Sequence, residues 1–296
     1  MSLSIVRFTD DALPGSLAVF RALDYDATMD ARRFQRLASD DPTVLPDLRF
    51  VAVDGDTIVG FVVGCVRQGR LVIKFVAVLR EWRRRGIASA LLDRVEEAAR
   101  QHGLQHSVAG GVGPLYFYPG VDLAEAPALS FFWRLGYDTD RVSRVDMRVD
   151  LEHTPLDVSS DIRSLADEGL AARRVARDEL AAVADLAGTH SNVWREEVEM
   201  SGENEPVSAF AVFDGEACVS FAVYGVTGPH RFGPTLTHPD YRRRGLGALL
   251  LKCCLADLRS QGYGEAEISW AGPVQYYIRA VKATVHKVYW VFTKQL

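Results

Sequence analysis

Cysteine is scarce in this chain. Four occur in 296 residues (Cys65, Cys218, Cys253 and Cys254), none at CxxC spacing. That argues against a disulfide framework and a redox dithiol, and Cys253–Cys254 fall on a helical pattern as small apolar fillers. The seven histidines do not gather with cysteines at zinc spacing and no His-Glu-x-x-His run occurs, so no metal is expected. A Gly-x-x-x-x-Gly-Lys-(Ser/Thr) loop is missing, which removes P-loop nucleotide hydrolysis. Gly-x-Ser-x-Gly is missing too, and with it the hydrolase elbow. Gly111-Val112-Gly113-Pro114 starts like a dinucleotide loop, but Pro114 and the absent third glycine make it a turn. The longest apolar stretch, 58–66, is too short to span a bilayer, and no signal-peptide pattern is read. A cytoplasmic protein with no membrane partner is therefore expected. The net charge of −5 argues against a nucleic-acid partner and leans toward cationic, amine-bearing substrates.

What is present is ordinary in bulk and distinctive in pattern. Hydrophobic content of 48% and charged content of 25% are those of globular domains, and the length suits two of them. The distinctive pattern occurs twice. Arg83-Arg84-Arg85-Gly86-Ile87-Ala88 and Arg242-Arg243-Arg244-Gly245-Leu246-Gly247 both read Arg-x-x-Gly-x-(Gly/Ala). Each follows an apolar strand-like run and opens a helix-like run, and each helix meets a glycine at the same distance, Gly103 and Gly262. Small residues let backbone N–H groups approach an anion, and a helix start presents unpaired N–H groups and the positive end of its dipole. Arginine adds charge and fork-shaped donors. The repeat thus predicts one folding unit present twice and a phosphorylated ligand.

The first half reads as a strand over 3–8, helical stretches over 12–23 and 30–38, and a hairpin of 48–53 and 58–66 about Asp54-Gly55. A strand over 71–78, the helix after the arginine loop, a strand over 106–109, a helix over 127–135 and a strand over 141–151 follow. The second half repeats the order: strand 171–176, helix 178–187, hairpin 209–213 and 218–226, strand 231–237, helix 246–258, and strands 265–270 and 285–292. The predicted domains are 1–152 and 170–296, joined by a connector at 153–169. The predicted class is α/β (α+β), each domain a mixed, mostly antiparallel sheet flanked by helices.

On these residues each half resembles a GNAT-superfamily N-acetyltransferase domain. The signature is (Gln/Arg)-x-x-Gly-x-(Gly/Ala), and both Val78 to Ala88 and Thr237 to Gly247 match it. The resemblance implies two tandem GNAT-like domains, each with a cleft between its fourth and fifth strands that holds acetyl-CoA. Arg83, Arg84, Arg85, Gly86, Ile87 and Ala88 would cradle the pyrophosphate in one half. Arg242, Arg243, Arg244, Gly245, Leu246 and Gly247 would do so in the other. Val78 and Thr237 would line the pantetheine arm. A substrate amine would attack the thioester directly, a strand N–H would stabilise the oxyanion, and a tyrosine would protonate the thiolate. The usual tyrosine precedes a helix-ending glycine by four residues. In the first half that position is Phe132, with Tyr118 a substitute from a nearby loop. In the second half Lys282 takes the glycine slot, making Tyr277 the candidate acid with Tyr276 a rival. Glu267 and His238 are candidate bases, with a water chain as the alternative. The resemblance favours catalysis in the C-terminal domain on a small-molecule or peptide amine. It leaves open a non-catalytic acyl-CoA-binding or regulatory role, and catalysis in the N-terminal domain. The acceptor's identity and the oligomeric state are not legible.

Overall fold

The computed structural model describes residues 3–296, which fall into two compact units: 3–143 with Tyr289–Leu296, and Arg144–Val288. Unit 1 runs β1 (Leu3–Arg7), α1 (Leu13–Arg21), α2 (Ala31–Gln35), β2 (Arg49–Asp54), β3 (Thr57–Arg67), β4 (Arg70–Val78), α3 (Ile87–Gln101) and β5 (His106–Ala109). The short β6 (Val121–Asp122), α4 (Ala126–Arg134) and the short β7 (Asp138–Thr139) follow. Unit 2 runs β8 (Arg144–Asp150), α5 (Ser159–Asp167), β9 (Leu170–Arg174), α6 (Leu180–Gly188) and α7 (Asn192–Ser201). It continues with β10 (Ala209–Asp214), β11 (Ala217–Tyr224), β12 (Arg231–Thr237), α8 (Leu246–Ser260), β13 (Glu265–Ile268) and α9 (Val274–Val281). The chain leaves along β14 (Thr284–Trp290) and ends its secondary structure in β15 (Phe292–Gln295).

Both hairpins turn where two residues demand it: Gly55 and Gly215, each behind an aspartate, stand at φ +59° and +58°. Alternation along the strands then sends side chains to two apolar layers. In unit 1, Phe61, Val63 and Phe75 meet α1 and α2 (Phe20, Phe34), while Phe50, Leu71 and Ile73 meet α3 and α4 (Leu91, Val95, Phe132). In unit 2, Ala211, Phe221 and Val223 meet α6 and α7, while Val219, Ala222 and Phe232 meet α8 and α9. Each mixed sheet thus carries helices on both faces. Among the described residues no helix is long and apolar enough to cross a membrane.

The sheets are not assembled from contiguous halves. The first runs β1-β2-β3-β4-β5-β15-β7, so a strand from the far end of the chain lies between β5 and β7. In the second, β8 lies between β13 and β14 and pairs with β13 from Glu265↔Asp150 to Ile268↔Met147. Residues 144–151 therefore belong to unit 2 rather than to a first domain reaching 152, and 289–296 belong to unit 1. An alternating pattern specifies that a strand exists, not which edge it joins. The expected connector is also structured, since 159–167 is helix α5 and its Leu165 enters the unit 2 core.

Side chains lock these outlying strands. Phe292 of β15 is fully buried against Phe132 and Trp133, with ring centroids 5.7 and 5.4 Å away. Lys294 Nζ sits 2.7 Å from Glu96, a buried carboxylate on α3 that also accepts from the Tyr137 hydroxyl at 2.8 Å. Met147 and Val149 of β8 are fully buried in unit 2.

Candidate active site

Two strands that should run together come apart in each unit. β4 and β5 are parallel and paired only at Leu71↔Ser107, Val72↔Val108 and Ile73↔Ala109. β12 and β13 are paired only at Arg231↔Glu267 and Phe232↔Ile268. The paired positions in the two units lie 159 residues apart, as do Gly86 and Gly245. A bulge interrupts the outer pairing of β4 between Val63 and Gly64, and another that of β12 between Ala222 and Tyr224. Beyond the paired stretch one edge of β4 and of β12 has no neighbouring strand among the described residues. Leu79 and His238 N–H groups bond to Val59 and Val219 on the other side. Ladder alternation therefore turns the N–H groups of Val76 and Val78, and of Thr235 and Thr237, toward the opening. These are unpaired donors along a cleft wall.

The arginine loops close one end of each opening, and their backbones coincide. Gly86 and Gly245 both stand at φ +80°, ψ −2°, as the residues before α3 and α8, and Arg84 and Arg243 are left-handed at +63° and +62°. Among the described residues no side chain caps either helix, so its first N–H groups are left for an outside acceptor. The three arginines divide the work. Arg83 Nε donates to the Val78 carbonyl at 3.1 Å and Arg242 Nε to Thr237 at 3.2 Å, pinning the loop to the strand it leaves. Arg85 lies over Trp82 and donates to the Glu81 carbonyl, while Arg244 lies over Tyr241 and pairs with Glu168. Arg84 and Arg243 are exposed and make no ion pair or hydrogen bond to a described residue. The middle arginine is thus the one best placed to meet a phosphate.

The helix ends place the aromatic candidates. In unit 1 Gly136 ends α4 at φ +81°, and the next N–H, that of Tyr137, returns to the Phe132 carbonyl. In unit 2 Lys282 takes the left-handed position at φ +54°, and the next N–H, that of Ala283, returns to the Tyr277 carbonyl. Tyr277 and Phe132 are therefore equivalent, and the last turn of α9 is wider by one residue. Phe132 lines the unit 1 cleft. Tyr277 is buried against Phe232, 6.3 Å between centroids, where burial and then the neighbouring Tyr276 push its hydroxyl pKa upward. Tyr276 lies elsewhere: its hydroxyl is 3.0 Å from where a Cβ on Gly247 would stand. Burial pushes Tyr276 up to about 12. Neither hydroxyl bonds to another described residue. At the same two positions unit 1 has Ala88 and Phe131, a methyl added where a hydroxyl is lost. That exchange is visible in the sequence only once the helix ends are aligned.

The remaining candidates are engaged. Glu267 pairs with Arg231 Nε at 2.7 Å, and both are buried. His238 Nδ1 accepts the Asp240 N–H at 3.4 Å and caps the turn Pro239–Tyr241. Tyr118 lines the unit 1 cleft, but its hydroxyl donates to the Tyr25 carbonyl at 3.0 Å. The cysteines are free thiols whose pKa values burial raises, to about 12 for Cys218 and about 11 for Cys253. Among the described residues no three His, Cys, Asp or Glu side chains gather as metal ligands. The unit 1 cleft encloses about 120 Å³ between β4, β5 and the aromatic loop holding Tyr116, Phe117 and Tyr118. One wall residue has no sequence expectation behind it. Lys74 is the lone charge in the apolar run of β4, and that isolation was the signal.

Comparison with known proteins agrees with this geometry. The profile of the acetyltransferase (GNAT) family matches residues 17–137 and 177–281. No protein of curated function matches the sequence significantly. Among solved structures, a tandem GNAT protein from the clavulanic acid biosynthesis pathway is 18% identical, with a TM-score of 0.73 over 99% of this chain and 98% of its own. A GCN5-related N-acetyltransferase from Sphaerobacter thermophilus is 17% identical, with a TM-score of 0.72 over 99% and 95%. The glucosamine N-acetyltransferase region of a fungal multi-domain β-N-acetylglucosaminidase is 17% identical at a TM-score of 0.79, and this chain spans 38% of that protein. At such identities the likeness is one of fold. The family profile covers more than half of the chain, once in each unit, and the chain belongs to the acetyltransferase (GNAT) family as a tandem member.

Proposed function

We propose that this protein is an acetyl-CoA-dependent N-acetyltransferase whose catalytic unit is Arg144–Val288. The observation that carries the reading is the duplicated cradle: an uncapped helix start behind a left-handed glycine, beside a strand edge with unpaired N–H groups. A pyrophosphate suits the first feature and a pantetheine amide the second. In unit 2 the loop from Arg242 to Gly247 would hold the pyrophosphate, and Thr237 would border the pantetheine arm. The amine nitrogen attacks the thioester carbonyl, a cleft-facing N–H of β12 stabilises the oxyanion, and the C–S bond breaks. Tyr277 gives its proton to the departing thiolate, a role its unengaged hydroxyl supports. With Glu267 held by Arg231 and His238 capping a turn, water carries away the ammonium proton. The raised thiol pKa values speak against an acyl-cysteine intermediate. The acceptor is a primary amine on a small molecule or peptide.

Unit 1 has a second reading, favoured by one observation. Phe132 stands where Tyr277 stands in unit 2, and the nearby Tyr118 hydroxyl is committed to a carbonyl. Its cleft would then bind a ligand without transferring a group. Thiol release from acetyl-CoA over a panel of amines tests both readings. Tyr277→Phe should lower kcat by about 100-fold with the fold intact. Turnover unchanged in that variant refutes the acid assignment, and no thiol release with any amine refutes the enzyme.

A further inference from the structure

Beside the unit 1 cleft lies a charged cluster with one cation too many. Lys74 sits at the bulge of β4, where the pairing skips from Val63↔Phe75 to Gly64↔Ile73, and its side chain is 3% exposed. Its Nζ lies 2.7 Å from Asp41 Oδ2, and Arg67 donates to the same oxygen at 2.9 Å. Asp41 Oδ1 accepts from the Thr43 N–H at 2.9 Å and the Thr43 hydroxyl at 2.6 Å. Four hydrogen bonds fill the carboxylate. An ammonium has three donors, and Lys74 meets no acceptor other than Asp41 among the described residues. Arg67 spends a second donor on the Gly113 carbonyl at 3.1 Å, and its buried Nε has no partner among the described residues. One carboxylate thus serves two cations, Lys74 almost fully enclosed and Arg67 mostly so. An interior charge left uncompensated is costly, and an anion at the remaining donors would relieve it.

Position decides where that anion goes. Lys74 lines the cleft together with Val76, Phe117 and Tyr118, at the point where β4 and β5 part. At the equivalent position of unit 2 the chain has Gly233, so no lysine stands there. We propose that the unit 1 cleft is a binding site for a small carboxylate-bearing ligand, whose carboxylate takes the free ammonium donors of Lys74. Two sources supply this chemistry: the acyl chain of a dicarboxylic acyl-CoA, and a free carboxylic acid bound beside CoA. Apolar walls leave room for a short methylene chain behind the charged end. Whether unit 2 transfers acetyl groups does not bear on this site.

The full chain is titrated calorimetrically with acetyl-CoA, with succinyl-CoA, and with succinate in the presence of saturating CoA. Binding of succinyl-CoA at least ~10-fold tighter than acetyl-CoA at one site identifies the first source, and saturable binding of succinate the second. Lys74→Gln should erase that preference while acetyl-CoA affinity stays within about twofold. Wild-type protein indifferent to the carboxylate in both arms overturns the proposal, as does a preference that survives Lys74→Gln. Hydrogen exchange on the wild-type chain serves if that variant does not fold. Added protection of residues 110–118 by the preferred carboxylate ligand, relative to acetyl-CoA or to CoA alone, supports the site, and added protection confined to unit 2 overturns it.

Discussion

The buried pair Arg231–Glu267 offers the sharpest test, because the same protein contains its apolar counterpart. Both groups are almost fully enclosed and 2.7 Å apart, at the first of the two paired positions of β12 and β13. At the identical register unit 1 places Val72 against Val108. Removing one partner leaves the other charged and buried, at a cost of about 3–5 kcal/mol. Arg231→Met or Glu267→Leu alone should therefore lower the melting temperature of unit 2 by roughly 6–20 °C, as expected for a domain of that size. The Ser269 hydroxyl, 3.3 Å from Glu267, is too long and too neutral a donor to replace the guanidinium. The double variant Arg231→Met/Glu267→Leu should return to within about 1 kcal/mol of the wild type, since replacing a buried pair by apolar residues is often neutral. Denaturant titration followed by hydrogen exchange in β12 and β13 reads unit 2 separately. A double variant as unstable as the sum of the singles refutes the reasoning. It would mean that the pair is needed as charges rather than tolerated as packing.

Lys294→Met removes the cation beside buried Glu96, and with Lys294 partly exposed the loss should be about 1–3 kcal/mol in unit 1. Faster proteolysis after 288 would accompany it, and an unchanged melting curve would count against the clamp. Burial alone would raise the Asp41 carboxyl, but the Lys74 charge and the donors from Lys74 and Thr43 outweigh it and hold the group at about 2, below its ordinary 3.8. A carboxyl depressed by folding adds stability that is present above pH 4 and is lost as pH falls toward 2. Urea titrations of unit 1 from pH 6 to 2 should show that loss, and Asp41→Asn, less stable at pH 6, should show a flatter profile. Gly245 stands at φ +80° with open space around it, so Gly245→Ala strains the backbone by about 1–2 kcal/mol without a clash. It should raise the KM for acetyl-CoA by about 10-fold, and an unaltered KM would remove the loop from the binding site.

Much of this was legible because it is local. Asp54-Gly55 and Asp214-Gly215 announce their turns, and the two arginine motifs announce a strand end, a left-handed residue and a helix start. The sequence pattern does not show helix α7, although Ser191 caps it by accepting the Val193 N–H, because its apolar positions are sparse. What could not be read was anything set by a distant partner. Nothing in Arg144–Asp150 says that it pairs with Glu265–Ile268. The spacing that made Tyr277 fall one residue off pattern is a property of backbone bonds at Lys282 and Ala283, which no count of residues reveals. Lys74 stood in plain view as a charge in an apolar strand, but only the fold brings Asp41 and Arg67 to it.

β15 imposes an order on assembly. The edge of β5 at His106–Ala109 must wait for Phe292–Gln295, and all of unit 2 is translated in between. A ribosome moving at about 5–20 residues per second leaves that edge open for roughly 10–40 s, long enough for other strands to compete for it. The same geometry governs dissection. A fragment cut after unit 1's last early residue is not a domain but a sheet missing an inner strand, so the two units cannot be made separately at 143/144 without grafting residues 289–296 back onto the first.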